Sequence, residues 1–139
     1  MRLGMVAILI AGAALSACSV REANLKMWDN QRPANASERA QIVDYIRNNY
    51  LDPYSIRDAE IAEVLTSTGV DARMYGNICV NMNAKNSLGA YTGRQYQIYY
   101  FNQSGKLYDA QQGTFHSIMC SDKRVRYSPF KELERLSKV

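Results

Sequence analysis

Apolar residues recur at three- and four-residue spacing between residues 37 and 50, which predicts an amphipathic helix. The apolar side of this helix comprises Ile42, Tyr45, Ile46 and Tyr50. Ser37 is a suitable N-cap, and Asp52-Pro53 ends the helix because the residue before a proline is disfavoured in helical conformation. We expect one helix here, with its apolar stripe packed on another element.

Apolar and polar residues alternate farther along the chain, which predicts strands with one buried face. The alternation is clearest at Ile78, Val80 and Met82, and again at Tyr96, Ile98 and Tyr100. Residues 102–105 predict a hairpin turn before a strand at 106–109, and residues 115–120 are interpreted as the last strand. Residues 59–65 fit a helix or a strand almost equally well, and residues 66–71 resemble a turn.

Near the carboxyl end, Ser128-Pro129 predicts the start of a short helix, with proline at its first position. The order of helix, strands and helix is typical of an α+β domain. We expect a small antiparallel sheet of about four strands, with the N-terminal helix packed on one face, a short C-terminal helix, and the other face open to water.

The first residues carry a separate pattern. Arg2 is followed by an apolar run from Leu3 to Leu15 that ends in small residues, as in a signal peptide. The run is shorter than the about 20 apolar residues that a transmembrane helix needs. We therefore interpret residues 1–17 as a leader, residues 18–36 as a tether with no sustained periodicity, and residues 37–139 as a single domain.

The end of the leader, Leu15-Ser16-Ala17-Cys18, resembles the lipobox of bacterial lipoproteins. The resemblance implies that Cys18 is alkylated by a diacylglyceryl group and becomes the first residue after cleavage. With Ser19 in the next position, it further implies an outer-membrane protein that faces the periplasm. An ordinary secretory signal cut at another position is the alternative.

The two other cysteines, Cys79 and Cys120, would face an oxidising compartment after export, which favours a disulfide between them. Two buried free thiols are the alternative. The formal charge is +4, of which Arg2 in the leader contributes one. The remaining excess of three lies in residues 121–139, where Lys and Arg outnumber Asp and Glu.

The best candidate binding segment lies between two predicted strands, at residues 83–93, and is rich in amides, hydroxyls and glycines. Lys85 is able to hold an anion, Asn83 and Asn86 to bond a polar ligand, and Tyr91 to stack on one. The competing interpretation is a structural turn, in which the amides bond their own backbone.

Part of the chain is similar to small uncharacterised proteobacterial envelope lipoproteins. The residues that carry this similarity are Asp52-Pro53-Tyr54-Ser55, Cys79, Asn83-Ala84-Lys85-Asn86-Ser87, Gly89, Tyr91 and Gly93. Those relatives often have glycine where this chain has Val80 and Ala90. The resemblance implies a role in the envelope and transfers no activity.

Signs of catalysis or of a cofactor are missing from the sequence. His116 is the only histidine, the cysteines are not spaced as Cys-x-x-Cys, and neither a Gly-x-Ser-x-Gly elbow nor a glycine-rich phosphate loop occurs. We expect a non-enzymatic binding or assembly protein with a protein or glycan partner, no metal and no nucleic acid. The alternative is a structural lipoprotein whose basic C-terminal segment contacts anionic lipid or cell wall; a small hydrolase is less favoured.

Overall fold

The computed structural model describes residues 28–66 and 76–138. The leader, the lipidation site Cys18 and most of the turn expected at residues 66–71 lie outside the described residues. Within them the chain forms the expected α+β fold, with a five-stranded antiparallel sheet where the sequence predicted about four strands.

Helix α1 spans Ala36–Asn49 and begins two residues earlier than predicted, because Asn35 and not Ser37 is its N-cap. The Asn35 side chain accepts a 2.9 Å hydrogen bond from the Glu38 backbone N–H. The Glu38 carboxylate accepts a 2.8 Å bond from the Asn35 N–H, which completes a capping box. The expected apolar stripe is present, since Ile42 and Ile46 are fully buried.

The five strands are β1 (Arg57–Ala62), β2 (Gly76–Asn83), β3 (Gln95–Phe101), β4 (Leu107–Gln111) and β5 (Tyr127–Pro129). They lie in the order β4-β3-β2-β1-β5. The uncertain stretch 59–65 is therefore largely strand. The hairpin turn between β3 and β4 is confirmed, with the Gly105 N–H donating to the Asn102 carbonyl.

The prediction of a last strand at residues 115–120 is wrong, because these residues belong to helix α2 (Thr114–Cys120). His116, Ser117 and Met119 are half-buried and Cys120 is buried, and the positions of His116, Met119 and Cys120 have helical spacing. Gly113, with φ of 129°, sits between β4 and α2, in a backbone conformation that favours glycine. The chain thus leaves the sheet edge and returns across its face.

The C-terminal helix also begins later than predicted. Tyr127–Pro129 forms the edge strand β5, where proline is tolerated because one side of an edge strand has no neighbouring strand that needs its N–H. Helix α3 then spans Lys131–Glu134 and continues as a 3-10 helix over Arg135–Lys138.

The sheet has apolar layers on both faces. The first face, which carries Ile78, Val80 and Met82, packs against α1 and the C-terminal helices. The second face, which carries Cys79 and Ile98, is covered in part by α2, Val125 and Trp28. The second face is therefore partly covered, whereas the sequence predicted a face open to water.

Candidate functional site

A disulfide joins Cys79 in β2 to Cys120 at the end of α2, as predicted, with the two Cα atoms 5.7 Å apart. Both cysteines are buried. The bond fixes α2 on the second face of the sheet, and this position leaves the first face to α1 and the C-terminal helices.

The loop at residues 83–93 is held largely by its own hydrogen bonds. The side-chain oxygen of Asn86 accepts from the backbone N–H groups of Leu88 and Ala90, at 2.9 and 3.1 Å. The Asn86 N–H donates to the Ala90 carbonyl at 2.9 Å. Asn86 therefore shapes the turn, as the structural interpretation of this loop requires.

Tyr91 and Lys85 connect the loop to the 3-10 turn Pro53–Ser55. The Tyr91 hydroxyl donates a 2.6 Å hydrogen bond to the Ser55 carbonyl, and the Lys85 N–H donates a 3.0 Å bond to the Ser55 hydroxyl. The Arg57 guanidinium lies 3.6 Å from the centre of the Tyr91 ring. One ring face of Tyr91 and its hydroxyl are thus already engaged within the protein.

The four predicted binding residues do not share a cavity. Asn83 is only 7% exposed and its Oδ1 has no hydrogen-bond partner among the described residues, whereas Lys85 and Asn86 are exposed. None of the four lines either of two clefts found in residues 28–66 and 76–138. A binding role for this loop remains a prediction.

Three of the six basic side chains in residues 121–139 lie beside carboxylates. Arg124 contacts Asp122 at 2.7 Å, Arg126 contacts Glu63 at 2.5 Å, and Lys131 approaches Glu134 at 3.8 Å. These partners reduce the charge that the segment offers to an anionic surface.

A cluster of tyrosine and glutamine side chains, which the sequence analysis missed, lies on the first face beside the end of α1. Gln97 in β3 is 5% exposed, and its Oε1 accepts from the hydroxyls of Tyr50 and Tyr99 at 2.6 and 2.5 Å. Gln112 Nε2 donates to the Tyr50 hydroxyl at 2.9 Å. Because Tyr50 accepts from Gln112, its own proton is directed at Gln97, which assigns the orientation of the Gln97 amide.

These side chains border an open cavity of about 410 Å³, here called the amide cavity. Its lining is Tyr45, Asn49, Tyr50, Leu51, Gln97, Ala110 and Gln112. The Oε1 of Gln97 is occupied by the two hydroxyls, whereas its Nε2 makes no hydrogen bond to the described residues and is not one of their fully buried unpaired atoms, so it is open to the cavity. The amide cavity therefore combines a fixed, unused donor with two partly exposed aromatic rings.

Burial raises the pKa of the Tyr50 hydroxyl to about 12 and the pKa of the Tyr99 hydroxyl well above its usual value. The hydrogen bond from Gln112 offsets part of the increase at Tyr50. Both hydroxyls consequently remain protonated near neutral pH and keep donating to Gln97.

Sequence reasoning missed this site because the alternation of Tyr96, Ile98 and Tyr100 predicts that these residues form the buried side of β3, which leaves Gln97 on the opposite side. The alternation of Tyr96, Ile98 and Tyr100 is real, but Tyr99 and Phe101 on the other side are also fully buried. Gln95 and Gln97 are followed on the same side of β3 by Tyr99 and Phe101. These two aromatic residues were the sign in the sequence that both faces of β3 are covered.

The one histidine of the sequence lies beside aromatic rings in the described structure. His116 lies in α2 between the rings of Phe115 and Tyr100, at centroid distances of 5.5 and 6.5 Å. No group of three His, Cys, Asp or Glu residues suited to a metal ion occurs within residues 28–66 and 76–138. Among the same residues, no helix combines the length and apolar character needed to cross a membrane.

Comparison with protein-family models, curated proteins and solved structures gave no match for this chain.

Proposed function

We propose that this chain is a lipid-anchored, non-enzymatic binding protein of the bacterial cell envelope, and that its amide cavity receives an N-acetylated sugar of an envelope glycan. The lipobox at residues 15–18 supports attachment through Cys18, and Ser19 favours the outer membrane with the domain facing the periplasm. The Cys79–Cys120 disulfide agrees with an oxidising compartment.

One observation carries the binding role, namely the state of the Gln97 side chain. Its carbonyl oxygen is occupied by two tyrosine hydroxyls, whereas its amide nitrogen lacks a partner in the described structure. This nitrogen is not among the fully buried unpaired atoms of the described residues, so it is open to solvent in the cavity. A ligand with an acceptor atom at this position would replace that solvent and bond the same nitrogen.

An acetamido group matches the polar atoms of the cavity. Its carbonyl can accept from Gln97 Nε2, while its N–H can donate to Asn49 Oδ1, since the Asn49 amide nitrogen already donates to the Tyr45 carbonyl at 2.8 Å. The rings of Tyr45 and Tyr50 offer apolar surface for the C–H groups of a sugar. Small-ligand sites usually combine apolar and aromatic surface with a small number of polar groups.

The binding role is tested by calorimetric titration of the full chain, in detergent, with N,N′-diacetylchitobiose. We expect Gln112→Ala to weaken binding about tenfold, equivalent to about 1.4 kcal/mol, because it removes the bond that orients Tyr50. Gln111→Ala is the matched control, since Gln111 bonds Asp109 and faces away from the cavity. Cellobiose, which lacks acetamido groups, should bind more weakly; equal binding of both sugars, or of neither, contradicts the proposal.

The anchor is tested separately with Cys18→Ala. This substitution should block lipid attachment and leave a longer, unlipidated precursor in the aqueous phase of a detergent partition. A variant that is processed and partitions like the wild type would show that Cys18 is not the anchor.

A further inference from the structure

Helix α2 presents two bulky apolar side chains to solvent. Phe115 is 68% exposed and Ile118 is 66% exposed. They are three residues apart and lie on one side of the helix, opposite the fully buried Cys120. The two side chains therefore form a small exposed apolar patch on α2.

The described chain begins on the same face of the sheet. Trp28 packs with the second-face core that contains Cys120 and Val125. Gln31 Nε2 donates a 2.8 Å hydrogen bond to the Arg124 carbonyl, and the Arg124 guanidinium lies 4.2 Å from the centre of the Trp28 ring. Residue 28 is therefore fixed beside the turn that follows α2.

The short length of chain between Cys18 and Trp28 indicates that the partner of this surface is the lipid surface. Trp28 is ten residues after Cys18, so the intervening chain reaches at most about 36 Å. We propose that α2 docks on the membrane that holds the acylated Cys18, with Phe115 and Ile118 at the boundary between headgroups and acyl chains. This inference rests on the lipid anchor of the proposed function.

The charges near α2 indicate that docking depends on apolar contact. Arg124 is paired with Asp122, and Arg126 with Glu63. Two further charged residues, Lys123 and Asp29, are exposed and of opposite sign. Such a surface has little net attraction for anionic headgroups. Because a short tether gives a high effective concentration, weak apolar contact is sufficient. Docking should therefore resist high salt.

The test uses the lipidated full chain in vesicles of phosphatidylethanolamine and phosphatidylglycerol. Phe115 and Ile118 are replaced in turn by the photoreactive residue p-benzoylphenylalanine, which inserts into nearby C–H bonds on irradiation. Tyr54 is the control position, because it is 55% exposed but lies on the 3-10 turn that packs with α1 and the C-terminal helices.

We expect lipid adducts at positions 115 and 118, at low and at high salt, and none at position 54. Adducts at none of the three positions, or equally at all three, overturn the docking. Adducts that disappear at high salt also overturn it, in favour of electrostatic contact. The mass of the N-terminal peptide reports acylation independently: an unacylated Cys18 overturns the anchor, whereas missing adducts on an acylated chain overturn only the docking.

Discussion

The Tyr50 hydroxyl donates a 2.6 Å hydrogen bond to Oε1 of Gln97, and this bond connects the end of α1 to the middle of β3. Tyr50 is the C-cap residue of α1, and its backbone N–H bonds the Ile46 carbonyl. The same residue thus ends the helix and orients the buried amide that forms the floor of the cavity. Stability and binding are coupled at this position.

Tyr50→Phe should lower the free energy of unfolding by about 1 to 3 kcal/mol, because Gln97 loses one donor and Gln112 loses its acceptor. Urea denaturation of the full chain measures the change. Tyr54→Phe is the control, since the Tyr54 side chain is exposed. Equal free energies of unfolding for the two variants would show that the Tyr50 hydroxyl makes no net contribution to stability.

Alkaline pH should destabilise the protein through Tyr50. Its pKa in the folded state is about 12, above the ordinary value of 10.0, so ionisation favours the unfolded chain. The stabilisation is complete below pH 10 and is lost as the pH rises towards about 12. Thermal melting across this range should therefore fall more steeply for the wild type than for Tyr50→Phe. Parallel curves would contradict the assignment.

Removal of the disulfide by Cys79→Ala with Cys120→Ala should destabilise the fold by about 3 to 4 kcal/mol, from the entropy of a loop that spans 41 residues. The comparison is made by urea denaturation under non-reducing conditions. The wild type in reductant should approach the double variant. If reductant and substitution both leave the unfolding midpoint unchanged, the bond is not formed in the native protein.

Tyr91→Phe should destabilise the domain by about 1 kcal/mol, because the Ser55 carbonyl loses its donor. Lys85→Ala should change stability by no more than about 0.5 kcal/mol, since only the exposed side chain is removed. This contrast identifies Tyr91 as a structural anchor of the loop. A larger loss of diacetylchitobiose binding in Lys85→Ala than in Gln112→Ala would instead return the site to this loop.

The sequence predicted elements well where local pattern and burial agree. Ile78, Val80 and Met82 all face the first-face core, and the alternation therefore identified β2 correctly. The prediction of a strand at residues 115–120 was wrong because a short apolar segment fits both the helical and the strand period. The disulfide of Cys120 determines how this segment packs.

The amide cavity was not predictable in this way, because it depends on tertiary placement. Tyr50 follows α1, Gln97 lies within β3 and Gln112 follows β4, and no local spacing connects them. Their contact requires the antiparallel pairing of β3 with β4 and the packing of α1 across both strands. The disulfide, by contrast, followed from the count of cysteines once Cys18 was assigned to lipid.

The most direct test of the binding role is the side-chain amide resonance of Gln97 in ¹⁵N-labelled protein, followed during titration with N,N′-diacetylchitobiose. The account predicts a saturable shift of the Gln97 Nε2 protons, together with the Asn49 side chain, and little change at Gln111. An unchanged Gln97 resonance at saturating sugar, or shifts confined to residues 85–91, would contradict it.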